Sequence, residues 1–339
     1  MKTSYKPEDV IVLLKDITGE LQPLPLKERE KRRQQGIHYS EMLPLEYQPS
    51  RAYLELYHQA LSKYGRRIAY AIAQLADKII AQKGTNVTLV SLARTGTPVG
   101  ILLKRYILKK YNVNVPHYTI SIILKKGIDH NALQYILGKH KPETIQFIDG
   151  WTKEHHISNN LAVVADPAHL TSLYGTKEDF LIPNACLGST VSELFSRTIL
   201  NSEVIAENDF HGAAYFEYLE DKDVSYEFIE SIEKQFDNTE PIEELSNNAG
   251  SQEAEEILRN LNLFDTCTIT LGINETTRSL LQSYPLKILV RSNSDTEYIE
   301  HIIQLAKDKQ IPIEEYPLQN YRACAILKRM EVHLQCSSL

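Results

Sequence analysis

The sequence predicts an α/β fold: a mainly parallel sheet flanked by helices, followed by a small C-terminal α/β domain. Three observations carry this. Short β-branched apolar runs alternate with amphipathic helical stretches between residues 87 and 165, the order that builds parallel strands covered by helices. One of those runs, in NVTLVSLARTGTPVG (86–100), drops straight into a small-residue loop with two glycines and an arginine, and a helix follows. An acidic stretch without Lys or Arg, 237–256, then separates off roughly 80 residues with a strand and helix alternation of their own.

Taken in order, residues 1–48 are charged and proline-punctuated, with the basic patch 27–33 leading into GIHYSEMLP, and read as an N-terminal arm. From 49 to 83 the pattern is helical with a break near Gly65, and Ala69, Ile72, Ala73, Leu75, Ala76, Ile79 and Ile80 recur as a buried stripe. Strands are expected at 87–92, 117–124, 144–148 and 161–165, with helices at 99–111 and 131–138. These elements define a first domain, 49–236. SNNAGS marks 237–256 as a solvated linker. In the second domain, 257–339, a helix near 253–261 precedes strand 268–271. NETTRSLLQ opens a helix with Asn274 as N-cap. Strand 287–291, helix 295–309 and strands 311–314 and 323–328 complete it.

Composition narrows the function classes. The chain has 339 residues and a formal charge of −7, which argues against a general nucleic-acid binder and leaves room for a local basic site. Its four cysteines lack CxxC spacing, so neither a disulfide scaffold nor a zinc site is expected. No apolar run approaches the roughly 18 residues that span a bilayer, and MKTSYKPEDV lacks a signal-peptide core, so no membrane partner and a cytoplasmic location are expected. The oligomeric state is left open.

The 86–100 stretch has the strand, flexible loop and helix order by which α/β proteins hold anions. Exposed amides and the helix dipole face the charge, and glycine permits close approach. Ser91, Ala93, Arg94, Thr95, Gly96, Thr97 and Gly100 are therefore candidate ligand contacts; tight packing is the alternative. In TIQFIDGWTKEHH a second strand ends at Asp149 and Gly150, at the edge where open sheets bind ligands. Asp149 there suits ribose hydroxyls or Mg²⁺, or merely caps a turn. Cys186 in IPNACLGST is a possible nucleophile or a packed thiol, and His211 in DFHGA a site-lining donor. His155 and His156 are adjacent and do not converge easily on one metal ion. His38, Tyr39, Ser40 and Glu41 form a lid or an anchor. Thr276, Thr277 and Arg278, with Lys328 and Arg329, are candidate RNA contacts, with helix capping or protein docking as the alternatives.

The strings HYSEMLP, VSLARTGTPVG, HYTISI with GID, FIDGWT, DPAH, GTKEDFLIPNACL, SRT and DFHGA occur in this order. In this the chain resembles the phosphoribosyltransferase-like family of tellurite-resistance and stress operons, also labelled cysteine protease StiP. LGINETTRSLL, HIIQLAKDKQIPIEEYPL and YRACAIL resemble the Pelota-type RNA-binding domain fused to it. Together the two resemblances cover nearly the whole chain.

The resemblance implies binding of phosphoribosyl pyrophosphate or a related nucleotide, and transfer of ribose 5-phosphate to or from a base in a metabolite or RNA. ARTGTPVG would grip pyrophosphate, Arg94 and Mg²⁺ would neutralise it, Asp149 would hold ribose or the metal, and Thr152 would meet the 5-phosphate. Lys125 and Lys126 stand where the resemblance leads one to expect an arginine-bearing turn. Two departures support other readings. Thr152, Lys153, Glu154, His155 and His156 replace a glycine-containing turn, and about eleven residues separate Gly150 from the next strand, short for a parallel crossover. The alternatives are a nucleotide- or RNA-binding protein with a degenerate phosphate loop, and a cysteine hydrolase using Cys186 and His211.

Overall fold

The computed structural model describes residues 1–46, 48–152, 160–239, 250–292 and 296–328. The N-terminal segment gives strands β1 (Ile11–Leu13) and β2 (Lys15–Asp16) and helix α1 (Leu26–Gln34), and the long helix α2 (Arg51–Lys83) follows. Strand β3 (Thr88–Leu92), helix α3 (Gly96–Tyr111) and strand β4 (His117–Ile120) lead into a hairpin, β5 (Ile122–Ile123) and β6 (Gly127–Ile128). Helix α4 (His130–Leu137) precedes strands β7 (Ile145–Trp151), β8 (Leu161–Ala165) and β9 (Leu173–Thr176). A single turn, α5 (Asn184–Leu187), strand β10 (Gly212–Ala213) and helix α6 (Ser225–Glu233) end the first unit. The second contains α7 (Gly250–Asn260), β11 (Cys267–Leu271), α8 (Gly272–Gln282), β12 (Lys287–Val290), α9 (Thr296–Asp308), β13 (Ile313–Glu315) and β14 (Ala323–Lys328).

The main sheet has six strands in the order β1-β4-β3-β7-β8-β9, every neighbouring pair parallel. Alternation along β3 splits the core between its two faces. Leu89 joins Ile72 and Leu75 of α2 and Ile101 and Leu102 of α3, whereas Val90 and Leu92 pack with Ala132 and Ile136 of α4. Each such fully buried aliphatic side chain contributes roughly 1.5–3 kcal/mol. The small sheet runs β11-β14-β12-β13, with β14 antiparallel to both neighbours and β12 parallel to β13. No described helix is long and apolar enough to cross a membrane.

Several elements depart from the sequence expectation. Helix α2 does not break at Gly65, which is buried in it with open space where a Cβ would stand. The helix stops at Gly84, whose φ is +73°. Strand β4 ends at Ile120 instead of running to 124, because Lys125 (φ +66°) and Gly127 (φ +91°) turn the chain back into the β5–β6 hairpin. The N-terminal arm is not peripheral: β1 forms the edge of the main sheet beside β4. Residues 250–256 of the expected linker lie in α7, and 240–249 fall outside the described residues. Strand β9, LYGT, has little β-branched character, and its Gly175 lies so close to the Ala71 carbonyl of α2 that a Cβ would collide.

Candidate functional site

The carboxyl ends of β3, β4 and β7 form one rim, but the residues there are spent largely on one another. Ser91 Oγ meets His117 Nε2 at 2.7 Å, and His117 Nδ1 meets the Asp9 carbonyl oxygen at 2.9 Å. Burial drives His117 down to about 3, so the ring is neutral. A Cβ on Gly100 would run into this Ser91–His117 pair, and one on Gly96 would run into the Ile148 carbonyl oxygen. Both glycines of the loop are therefore explained by close packing. Ala93 N donates to Ile120 O at 3.0 Å, tying the loop to β4.

The loop's polar side chains have internal partners as well. Arg94 donates to Glu46 Oε1 and to the Phe195 carbonyl at 2.9 Å. Burial pushes the Glu46 carboxyl up, but the Arg94 guanidinium and the Ser189 amide outweigh it and hold it below the usual range. Thr95 Oγ1 donates to Asp149 Oδ1 at 2.5 Å, and the same oxygen accepts from Gly150 N at 2.7 Å. Thr97 Oγ1 donates to Glu193 Oε2 at 3.0 Å and lies 2.8 Å from Thr119 Oγ1. Glu193 is fully buried, which raises its carboxyl well above the usual range. Thr152 is buried; its amide donates to Ala165 O at 3.1 Å, and its Oγ1 has no hydrogen-bond partner among the described residues.

Among the described residues no three His, Cys, Asp or Glu side chains gather as a metal site, so the Mg²⁺ expectation rests on the single carboxylate of Asp149, one oxygen of which is already hydrogen-bonded.

A second constellation lies at the end of β4. His211 Nδ1 sits 2.7 Å from Ser121 Oγ, and its amide donates to Asp129 Oδ2 at 2.6 Å. The other oxygen of Asp129 caps α4 by accepting from Ala132 N at 3.0 Å. His211 lines a cleft of about 490 Å³ together with Lys126, Asp129, His130, Asn131 and Asp209. Burial holds its ring below the ordinary histidine range, against the pull of Asp129. Lys126 pairs loosely with Glu41 at 3.6 Å. Residues 38–41 act as an anchor: Tyr39 Oη accepts from Leu124 N at 2.7 Å, fixing the segment to the hairpin.

Cys186 sits on α5, 1% exposed, and burial pushes its thiol up to about 12 despite a hydrogen bond from the Tyr53 hydroxyl. Among the described residues no hydrogen bond joins Cys186 to His211, the pair of the sequence reading. The reason is topological. Cys186 packs with α2 in the core on one side of the sheet, whereas His211 joins Ser121 at the sheet's carboxyl edge.

The small domain covers the rim. Asp179 accepts from Ile273 N at 2.9 Å and from Arg322 N at 2.8 Å. Asn274 is not an N-cap: it lies inside α8, accepting from Ile182 N at 2.8 Å and donating to Phe180 O at 3.0 Å. Trp151 Nε1 donates to Glu275 Oε1 at 2.7 Å. Thr276 is fully buried, and Thr277 donates to Ile273 O and meets His301 Nε2 at 2.8 Å. Neither side chain faces solvent, where an RNA would lie. Arg278 pairs with Glu275 and stacks over Trp151, while Lys328 is exposed at the end of β14. Lys153, Glu154, His155, His156, Arg329 and Cys336 lie outside the described residues.

Glu46, Asp179, Glu193 and Arg197 carry much of this site without standing out in the sequence. Their signal is position: Asp179 lies in the GTKEDFLIPNACL string, Arg197 in SRT and Glu193 just before it.

A parallel α/β unit with a polar rim, covered by a small mixed domain, is the class the geometry defines. A model of the tellurite-like stress resistance cysteine protease StiP family matches residues 3–233, and the PELOTA RNA binding domain matches 248–329. Over 96% of its length the chain is 30% identical to the cysteine protease StiP of Acinetobacter baylyi, covering 94% of that protein. The chain belongs to the StiP family. No solved structure matches it.

These matches overturn the expected activity. The family and the relative carry the name of a cysteine protease, not a phosphoribosyl transferase, and the loop read as a phosphate cradle is occupied by its own packing. Binding of phosphoribosyl pyrophosphate or a related nucleotide loses its support with it.

Proposed function

We propose that this chain is a thiol-dependent hydrolase of peptide bonds in stress resistance, with Cys186 as nucleophile and with the thiol closed off in the form described here. One observation carries the assignment: of the four cysteines, Cys186 alone lies within the 3–233 region matched by the family named for a cysteine protease. Its position supports the reading. Asn184, on the same turn, donates to Thr95 O at 3.4 Å, so α5 abuts the rim where the parallel strands end. Cys267 and Cys324 lie on strands of the small sheet and fill its core. In this state Cys186 is a protonated thiol under Tyr53, so catalysis requires α5 and the 188–193 turn to move away from α2 and bring a base to the sulfur. The experiment is release of acid-soluble peptides from denatured casein by wild type, Cys186→Ala and Asp149→Ala. The reading expects loss in the first variant only; equal hydrolysis by Cys186→Ala refutes it.

The Pelota match supports a second role, contact with RNA through residues 248–329. With Thr276 and Thr277 turned inward, exposed Lys328 is the remaining candidate of the set. Its replacement by alanine should weaken binding of a single-stranded oligoribonucleotide and reduce the salt dependence by about one phosphate contact. An unchanged salt dependence removes Lys328 from that surface.

A further inference from the structure

Where the small domain closes over the rim, five cations come together from distant parts of the chain. They are Arg29 of α1, Arg94 after β3, Arg197 in the stretch before β10, Arg278 of α8 and Lys309 just past α9. Arg94 donates to the carbonyl of Phe195, two residues before Arg197, and Arg197 donates to Gln282, one turn past Arg278 on α8. Lys309 donates to the carbonyl of the next residue, Ser283 O, at 3.1 Å, and Arg29 lies in electrostatic reach of Arg197 and Lys309. Burial and these neighbours bring Arg197 down to about 9 and Lys309 to about 8.

Two carboxylates answer this charge: Glu46 holds Arg94 at 3.2 Å and Glu275 holds Arg278 at 3.1 Å. Arg33, beside Arg29, is taken up by Glu30 at 2.8 Å. Arg29 itself is 7% exposed and its Nε is unsatisfied among the described residues; Glu46 and Glu30 act on its charge without a side-chain hydrogen bond to it, and Glu46 is shared with Arg94 and Arg197. The hydrogen bond of Arg197 is to a neutral acceptor, Gln282 Oε1, at 2.6 Å. Five cations against so few carboxylates, with a buried guanidinium N–H left without an acceptor, favour an anion among them.

We propose that this space binds a small divalent oxyanion of the phosphate type, gripped by Arg29, Arg197 and Arg278, with Arg94 and Lys309 adding to the positive field. Guanidinium forks suit such a group because each presents paired N–H donors to two oxygens. With Arg29 and Arg94 both below a tenth exposed, a free anion fits better than the backbone of a polymer. The site is separate from Cys186 and does not depend on the hydrolase reading.

The test titrates inorganic phosphate into the full chain in chloride buffer, following heat and melting temperature, for wild type, Arg29→Gln and Arg197→Gln. Wild type should bind and gain melting temperature with phosphate, and each variant should lose at least tenfold in affinity. Arg29→Gln should also melt higher than wild type without phosphate, because it removes a charge that burial disfavours; a merely structural arginine would lower it. Two further probes separate the source of the phosphate: an oligoribonucleotide with a 5′-phosphate and the same oligomer with a 5′-hydroxyl. The free anion should compete with neither. A flat phosphate titration of wild type overturns the proposal, as do variants that respond like wild type or tighter binding of the 5′-phosphorylated RNA than of phosphate.

Discussion

Alkylation of Cys186 probes the closed thiol most directly. Reactivity follows the thiolate, and a thiol pushed up to about 12 holds about a thousandfold less of it at neutral pH than an ordinary cysteine. Steric closure adds to this, since the side chain is 1% exposed beneath Tyr53. Iodoacetamide at pH 7.5, with mass-spectrometric counting of the Cys186 peptide, should therefore label the native chain at least about a thousandfold more slowly than the chain in denaturant. Tyr53→Phe removes the hydroxyl that favours the thiolate and should slow native labelling further. Tyr53→Ala empties the space above the thiol, costs about 3–5 kcal/mol of stability, and should speed labelling by exposing the sulfur. Native labelling within tenfold of the unfolded rate refutes the closed-thiol account.

Other expectations concern the scaffold. Asp179→Ala strands the amides of Ile273 and Arg322 and should cost about 2–5 kcal/mol in urea unfolding; a loss below 1 kcal/mol contradicts the docking role given to this carboxylate. Burial raises Asp179 to about 6, above its value in the unfolded chain, so between pH 6 and 4 the native state holds a proton that the unfolded state lacks. Its contribution to stability should then rise as pH falls through that window, by up to about 3 kcal/mol, and the difference between wild type and Asp179→Asn should carry that slope. Opposite slopes in that difference would place the titration elsewhere. Gly96→Ala drives a Cβ into the Ile148 carbonyl oxygen and should cost at least about 1–3 kcal/mol, read as a drop in thermal midpoint. A neutral result would mean that the loop is not packed against β7.

Much of the first unit's architecture is legible in the sequence, because β3, β7 and β8 are buried on both faces and show it as continuous apolar runs. Strand β9 is hidden because its place is set by Gly175 against α2, a tertiary contact with no local pattern. The edge strand β1 is hidden because three residues are too few to show a period. At the rim, the residue types were readable and their use was not. ARTGTPVG has the composition of an anion loop, but Gly96 and Gly100 serve backbone and side-chain packing, and Arg94 is matched by Glu46, 48 residues away. Pairings at such separation leave no trace in spacing, which is also why the contacts of Asp179 and the unsatisfied Nε of Arg29 emerge only in three dimensions.

Hydrolysis of denatured casein by wild type beside Cys186→Ala tests the central claim most directly. The account expects peptide release by wild type that disappears in Cys186→Ala. Release at the wild-type rate from Cys186→Ala, or none from wild type, contradicts it.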